Sequence, residues 1–118
     1  FIANVDKFFL SEVFQVLLNN AVLYAPPNSK VTVEFEPRKT FFYIHLENDG
    51  VALPQREQKR LFEKFSRLEH GVKSNPNGSG LGLFIARSLI ELMHGDLKYD
   101  AIKKDRIRFT LKFSRSKF

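Results

Sequence analysis

Three glycines at alternate positions, Gly78, Gly80 and Gly82, lead into about four turns of strong helix formers that end at Gly95. The start of such a helix presents unpaired backbone N–H groups and the positive end of the helix dipole. Glycine lets a phosphate group lie close against that backbone. The stretch therefore predicts an anion site, in particular one for a nucleotide. A second interpretation, that the glycines only allow a core helix to pack closely, fits this stretch equally well.

Length and composition narrow the class of protein. The 118 residues suit one domain, residues 1–118, and 43% hydrophobic residues with 13 Phe supply a well-filled core. The sequence contains no cysteine, which excludes disulfides and cysteine-based metal sites. No apolar run approaches the roughly 18 residues of a membrane span, and the first residues lack the basic start of a signal peptide. We therefore expect a domain without membrane contact.

The net charge of +6 raises the question of nucleic-acid binding. Much of the excess positive charge lies in the last predicted strand and the tail: Lys103, Lys104, Arg106, Arg108, Lys112, Arg115 and Lys117. Proteins usually read bases from a helix, or from an exposed sheet with interleaved aromatic residues, and neither pattern is clear here. We interpret the charge as a solvated basic face and expect no nucleic-acid partner.

Hydrophobic periodicity predicts two long helices. Residues 8–24 have the spacing of a helix with a broad buried face; Asp6 or Ser11 is the candidate cap, and the proline pair at 26–27 ends it. In residues 80–93, apolar side chains occupy nearly every turn on more than one face. We therefore expect this second helix to be packed between layers.

Alternating apolar and polar residues predict strands that pair as two hairpins: residues 31–36 with 42–47, and residues 97–100 with 106–113. His45 falls in the polar phase of its strand. A single histidine in that position is much more often a surface residue than a ligand, so we predict an exposed side chain.

Between the hairpins, residues 55–65 predict a short amphipathic helix, and residues 66–77 are polar without periodicity. A structureless loop of about 12 residues is unusual in a compact domain and is often functional. Because it ends in the glycine stretch, we predict a lid at about residues 66–80 over whatever the glycines bind. The order helix, hairpin, helix, lid, helix, hairpin predicts the α+β class, with one sheet covered by helices on one face.

Four blocks in this order carry a resemblance to a known family: LLNNAVLY at residues 17–24, NDGVALP at 48–54, LFEKFSR at 61–67 and GSGLGL at 78–83. The chain resembles the catalytic and ATP-binding domain of sensor histidine kinases, within the group that includes gyrase, heat-shock protein 90 and mismatch-repair ATPases. The resemblance covers almost the whole chain, and the order and spacing of the blocks make it specific.

The resemblance implies a two-layer sandwich, with a mixed, mostly antiparallel sheet of about five strands covered on one face by three helices. ATP would lie between the first and last long helices, under the lid. Asn20 would coordinate Mg²⁺ through its amide oxygen, since Mg²⁺ prefers few oxygen ligands from protein when phosphates supply others. The implied nucleotide-binding residues are Asn20, Tyr24, Asn48, Gly50, Ala52, Leu53, Gly78, Ser79, Gly80, Leu81, Gly82 and Leu83. Position 48 would read the adenine amine, and residues 78–83 would hold the phosphates.

The sequence departs from the family pattern at four positions. Val16 stands where the family often has Asn, and Leu23 where it often has Lys. Asn48 replaces the common Asp, although an amide oxygen still accepts a hydrogen bond from the adenine amine. Ala52 replaces a glycine. Together these changes predict weaker nucleotide binding than is usual in the family.

The implied reaction transfers the γ-phosphoryl group of ATP to a histidine on a separate dimerisation hairpin, and a response regulator acts downstream. Such transfer depends mainly on positioning and charge, so this domain needs no nucleophile and contains no certain catalytic residue. We expect a cytoplasmic domain, whose parent protein is membrane-anchored in some family members. Two alternatives stay open: a degenerate nucleotide-binding domain without transfer, and a basic binding module that uses Arg106, Arg108 and Lys112.

Overall fold

The computed structural model describes residues 5–63 and 81–115. In chain order the elements are helix α1 (Lys7–Tyr24), strands β1 (Val31–Pro37) and β2 (Phe41–Asp49), helices α2 (Gln55–Gln58) and α3 (Gly82–Leu92), and strands β3 (Asp96–Lys103) and β4 (Arg106–Ser114). Within these residues, no helix has both the length and the apolar character needed to cross a membrane.

The four described strands form one antiparallel sheet in the order β1-β2-β4-β3. Both predicted hairpins are therefore confirmed, and the central pairing of β2 with β4 joins them. In that pairing Phe42 lies opposite Phe113, and Leu46 lies opposite Phe109. The described sheet has four strands, all antiparallel, whereas the prediction was a mixed, mostly antiparallel sheet of about five strands.

One face of the sheet packs against the helices and forms the core. The buried side chains come from both layers: Val13, Leu17, Phe42, Leu46, Leu61, Ala86, Ile90, Leu97, Phe109, Leu111 and Phe113. Except for Leu61, which follows α2, they lie in the apolar phase of β2, β3 and β4 or on one side of a long helix. Burial of these apolar surfaces drives the two layers together. The α+β class and the sheet covered by helices on one face are confirmed.

Helix α1 begins and ends where local chemistry requires. The Oδ1 atom of Asp6 accepts a hydrogen bond from the backbone N–H of Phe9 at 3.0 Å, so Asp6, rather than Ser11, is the cap. Ala25 is extended, with ψ of 151°, because a residue that precedes proline avoids the helical region. Helix α2 ends at Gln58, whereas the sequence predicted a helix to residue 65.

Among the residues that the structure describes, the fully buried positions of helix α3 form a single stripe, whereas the sequence predicted packing on more than one face. Ala86 and Ile90, one turn apart, are buried against α1 and the sheet. Ile85 and Leu92 remain 45% and 65% exposed. Helix α3 therefore has more apolar residues than the described elements bury.

A hydrogen-bonded C-terminal motif ends α3. The N–H of Gly95 donates to the carbonyl of Ile90, and the N–H of His94 donates to the carbonyl of Glu91, both at 2.9 Å. His94 has φ of 61°, the left-handed conformation that usually selects glycine at this place. The prediction that His94 serves in capping is therefore confirmed, through its backbone. Gly95 serves a different purpose, because an added Cβ would lie 2.7 Å from the Phe113 ring.

The opposite face of the sheet carries polar residues, and here His45 departs from its prediction. His45 is only 8% exposed. Its Nε2 lies 2.8 Å from Glu36 Oε1, its Nδ1 lies 2.9 Å from Thr110 Oγ1, and the Tyr43 ring lies beside it. Because β2 is a central strand, side chains from β1 and β4 cover the imidazole from both sides. The hydrogen bond from His45 also lowers the pKa of Glu36.

The basic residues of β4 are paired with neighbours rather than freely solvated. Arg108 Nη2 lies 2.7 Å from Glu47 Oε2, and Arg106 Nη1 lies 2.8 Å from Asp49 Oδ1. These are directly opposed residues of β2 and β4, so strand register creates the ion pairs. Lys112 Nζ lies 4.4 Å from the centre of a phenylalanine ring on β2. This pairing weakens the alternative of a basic binding module.

Candidate functional site

The two long helices lie in contact and form one side of the predicted site. One point of close approach involves Gly82, the first residue of α3, where an added Cβ would lie 3.4 Å from Val16 Cγ1. Leu81 precedes the helix, and among the side chains that the structure describes none caps this end with a hydrogen bond. A helix start without a side-chain cap is suited to an anionic ligand, because its first N–H groups have no intrahelical acceptors.

The residues predicted for the metal and phosphates lie on these helices where the structure describes them. Asn20 is half-buried on α1, one residue before the buried Ala21. Leu81 and Leu83 flank Gly82 at the start of α3, and both are half-buried. These predicted residues thus lie on the C-terminal half of α1 and at the N-terminal end of α3, two helices that contact each other.

Among the predicted site residues, Asn48 has a side chain that is both buried and hydrogen-bonded. It lies near the end of β2 on the helix-facing side of the sheet and is 5% exposed. Its Nδ2 donates a hydrogen bond to the carbonyl oxygen of Asp49 at 2.8 Å. Within the described parts of the chain, no donor is found for its Oδ1. A buried amide oxygen without a hydrogen bond is energetically unfavourable, so this atom is suited to accept one from a ligand.

The loop that follows Asn48 is fastened to the turn between β3 and β4. The N–H of Gly50 donates to Asp105 O, and the N–H of Ala52 donates to Lys104 O, both at 3.0 Å. A Cβ at Gly50 would lie 3.5 Å from Asn48 Nδ2. A Cβ at this position would therefore make ordinary contact with the buried amide, and the role of Gly50 beside the base stays a prediction.

Two side chains outside the predicted site also hold this loop. The N–H of Leu53 donates to the Tyr99 hydroxyl at 3.1 Å, and Gln58 Nε2 donates to Leu53 O at 2.8 Å. Burial raises the pKa of Tyr99 above its ordinary value, so the phenol stays protonated at neutral pH. The sequence signal that could have predicted this role is a tyrosine in the apolar phase of a strand, because a buried hydroxyl needs a polar partner.

Part of the predicted site lies outside the described residues. This part includes Gly78, Ser79, Gly80 and the predicted lid at residues 66–80. Tyr24 is the last residue of α1, and only its backbone is described. The predicted placement of ATP between the two long helices and under the lid therefore stays a prediction.

Comparisons with known proteins agree with this architecture. Residues 5–116 match the family described as histidine kinase-, DNA gyrase B-, and HSP90-like ATPase. The chain is 34% identical over 85 residues to the probable sensor kinase SilS of Salmonella typhimurium, covering 72% of this chain and 17% of that protein. It is 27% identical over 113 residues to the sensor histidine kinase WalK of Bacillus subtilis (strain 168), covering 92% and 18%.

Among solved structures, the mycobacterial sensor histidine kinase MprB has the same fold, with a TM-score of 0.82 at 23% identity. That likeness covers 93% of this chain and 74% of the other. The chain spans less than a fifth of the length of the two curated relatives. The match over nearly all of its residues shows that this chain belongs to the histidine kinase-, DNA gyrase B- and HSP90-like ATPase family and is related to the ATPase domains of sensor histidine kinases.

Proposed function

We propose that this domain binds Mg-ATP and donates the γ-phosphoryl group to a histidine on a separate helical hairpin of a two-component sensor kinase. The placement of Asn48 carries the proposal. Since Nδ2 is held by the carbonyl of Asp49, Oδ1 is the atom left to accept a hydrogen bond. The exocyclic amine of adenine is the matching donor, and the 5% exposure of Asn48 makes the contact a buried one.

The predicted residues on the two long helices are suited to bind the phosphate end of the nucleotide. The start of α3, which begins with Gly82, would receive phosphate oxygens from ATP, because a helix N-terminus favours anions. Asn20 offers an amide oxygen, a ligand type that Mg²⁺ accepts. When bound, Mg²⁺ would neutralise part of the phosphate charge. The role of this chain is to bind and orient the nucleotide.

Neither described histidine is a suitable phosphoryl acceptor. His45 is enclosed between Glu36 and Thr110, and His94 occupies the end of α3. The acceptor in our proposal is therefore supplied by the dimerisation hairpin, and a response regulator receives the phosphoryl group afterwards. We place the reaction in the cytoplasm, where ATP and the regulator are available.

A degenerate nucleotide-binding domain without transfer is the second candidate. The contact between Val16 and the start of α3 favours it, since an apolar side chain lies where the family often has Asn. Ala52 belongs to the loop beside Asn48 and adds a methyl group to it. Both features reduce polar contacts or space near the proposed nucleotide.

The first experiment is a calorimetric titration of residues 1–118 with ATP, with and without Mg²⁺. We expect saturable one-to-one binding that strengthens when Mg²⁺ is present. Absence of ATP binding under both conditions would overturn the proposal. The second experiment supplies a purified acceptor hairpin and measures phosphohistidine formation. ATP binding without any transfer would support the degenerate domain instead.

A further inference from the structure

The loop at residues 50–53 is held in two chemically different ways. Its first part, at Gly50 and Ala52, is fastened by backbone hydrogen bonds to the turn between β3 and β4. These bonds depend little on residue type. Its last residue, Leu53, is held by side chains, so the sequence itself controls this end of the loop.

Both polar groups of Leu53 are satisfied, and from opposite elements. Tyr99 of β3 accepts from its N–H, and Gln58 at the end of α2 donates to its carbonyl oxygen. Two hydrogen bonds from separate elements fix the position and orientation of a backbone residue better than either alone. Leu53 is half-buried, so loss of either partner would leave a poorly hydrated backbone group.

The Tyr99 hydroxyl is itself held in place by aromatic packing. The ring centroids of Tyr99 and Phe109 are 5.5 Å apart. The ring centroid of Phe62 lies 6.3 Å from that of Phe109. The guanidinium of Arg87, on α3, lies 5.1 Å from the centre of the Phe62 ring. This row of contacts connects the loop at residues 50–53 with α3 through packed side chains.

We infer that Tyr99 and Gln58 are positioning residues for recognition of the nucleotide base. They act through Leu53, which sets where the loop after Asn48 lies relative to the buried amide. This inference rests on the proposed function, because it assumes that Asn48 reads adenine. It assigns no contact between either residue and the nucleotide. The hydrogen bonds of Tyr99 and Gln58 go to Leu53 and not to Asn20 or the start of α3, so we expect the phosphate end to depend much less on this pair.

The test compares Tyr99→Phe with the unmodified chain, using ATP and inorganic tripolyphosphate as calorimetric probes in Mg²⁺. Tyr99→Phe removes the hydroxyl and keeps the ring that packs on Phe109. Loss of one neutral hydrogen bond corresponds to about a three- to tenfold change in an equilibrium constant. We expect the Kd for ATP to rise by about that factor, with no change in the Kd for tripolyphosphate.

Two further variants sharpen the test. Gln58→Met removes the donor at similar length and should weaken ATP binding in the same selective way. Tyr43→Phe is the matched control, since Tyr43 is also half-buried but lies on the other face of the sheet. It should leave both affinities unchanged.

The outcomes separate the two proposals. An unchanged Kd for ATP in Tyr99→Phe would overturn the inference and leave the proposed function intact. An equal loss for ATP and tripolyphosphate would also overturn it, because the residue would then support only the general structure. If the unmodified chain binds no ATP, the proposed function fails and the inference fails with it.

Discussion

Val16 of α1 lies directly against Gly82, the first residue of α3. A Cβ atom built on Gly82 would be 3.4 Å from Val16 Cγ1, which is the lower limit of ordinary van der Waals contact. The glycine that the sequence associates with phosphate binding thus also lies where the two long helices pack together. The two interpretations of the glycine stretch are compatible at this position.

Gly82→Val should destabilise the domain, because the valine methyl groups extend beyond Cβ into α1. Overpacking of this kind costs about 1–3 kcal/mol of unfolding free energy. Urea denaturation of the variant and the unmodified chain measures the difference. Gly82→Ala is the control: its Cβ just reaches contact and alanine favours the helix, so a loss near zero is expected. A large loss in Gly82→Ala would contradict this account of the contact.

Gly95→Ala should be much more damaging than its position after a helix suggests. The added Cβ would lie 2.7 Å from Phe113 Cε1 and 2.8 Å from Lys112 O, and a backbone carbonyl cannot move away freely. We expect a loss of about 2–4 kcal/mol in urea denaturation. At the preceding residue, His94→Gly should have the opposite sign and stabilise by about 0.5–1 kcal/mol, since it relieves the left-handed φ of 61°. Equal effects at both positions would refute this distinction.

Glu47 should contribute stability that depends on pH. Hydrogen bonding from Arg108 lowers the pKa of Glu47 in the folded protein, and the charge of Arg106 adds to this. The contribution is therefore present above the unfolded-state pKa, about 4.3, and is lost as the pH falls through the lower folded-state pKa. Glu47→Gln should lower the urea midpoint at pH 7 and have a smaller effect at pH 3. Glu34→Gln, on exposed β1, is the control; a Glu47 effect that does not depend on pH would contradict the prediction.

Asn48→Leu should abolish measurable ATP binding, because leucine keeps the approximate volume but removes the buried acceptor for the adenine amine. Calorimetry with ATP gives the affinity. The circular dichroism spectrum should remain that of the unmodified chain. Unchanged ATP affinity in a folded Asn48→Leu protein would show that the base binds elsewhere.

Asn20→Ala should remove most of the effect of Mg²⁺ on ATP binding, since it deletes the proposed amide ligand. The measurement is the ratio of the Kd values without and with Mg²⁺, which should approach one. Asn19→Ala, at the neighbouring exposed position of α1, is the matched control and should keep the normal ratio. A ratio that survives Asn20→Ala would reduce Asn20 to an ordinary polar residue of the helix.

Local patterns in the sequence determined the elements and their class. The stop at the proline pair and the alternation along the strands depend on neighbouring residues, so they were predictable from the chain itself. For the cap of α1 the sequence left two candidates, Asp6 and Ser11. The blocks that include Asn20 and Asn48 also indicated the family, because their order and spacing are visible without a structure.

The tertiary structure alone decided which partners those residues meet. Strand register placed Glu47 opposite Arg108 and enclosed His45 between Glu36 and Thr110, although both residues lie in the polar phase of β2. It also brought Tyr99 to Leu53, 46 residues away in the sequence. Periodicity assigns a side chain to a face, but exposure and hydrogen bonding depend on what adjacent strands place beside it, and that information lies in long-range pairing.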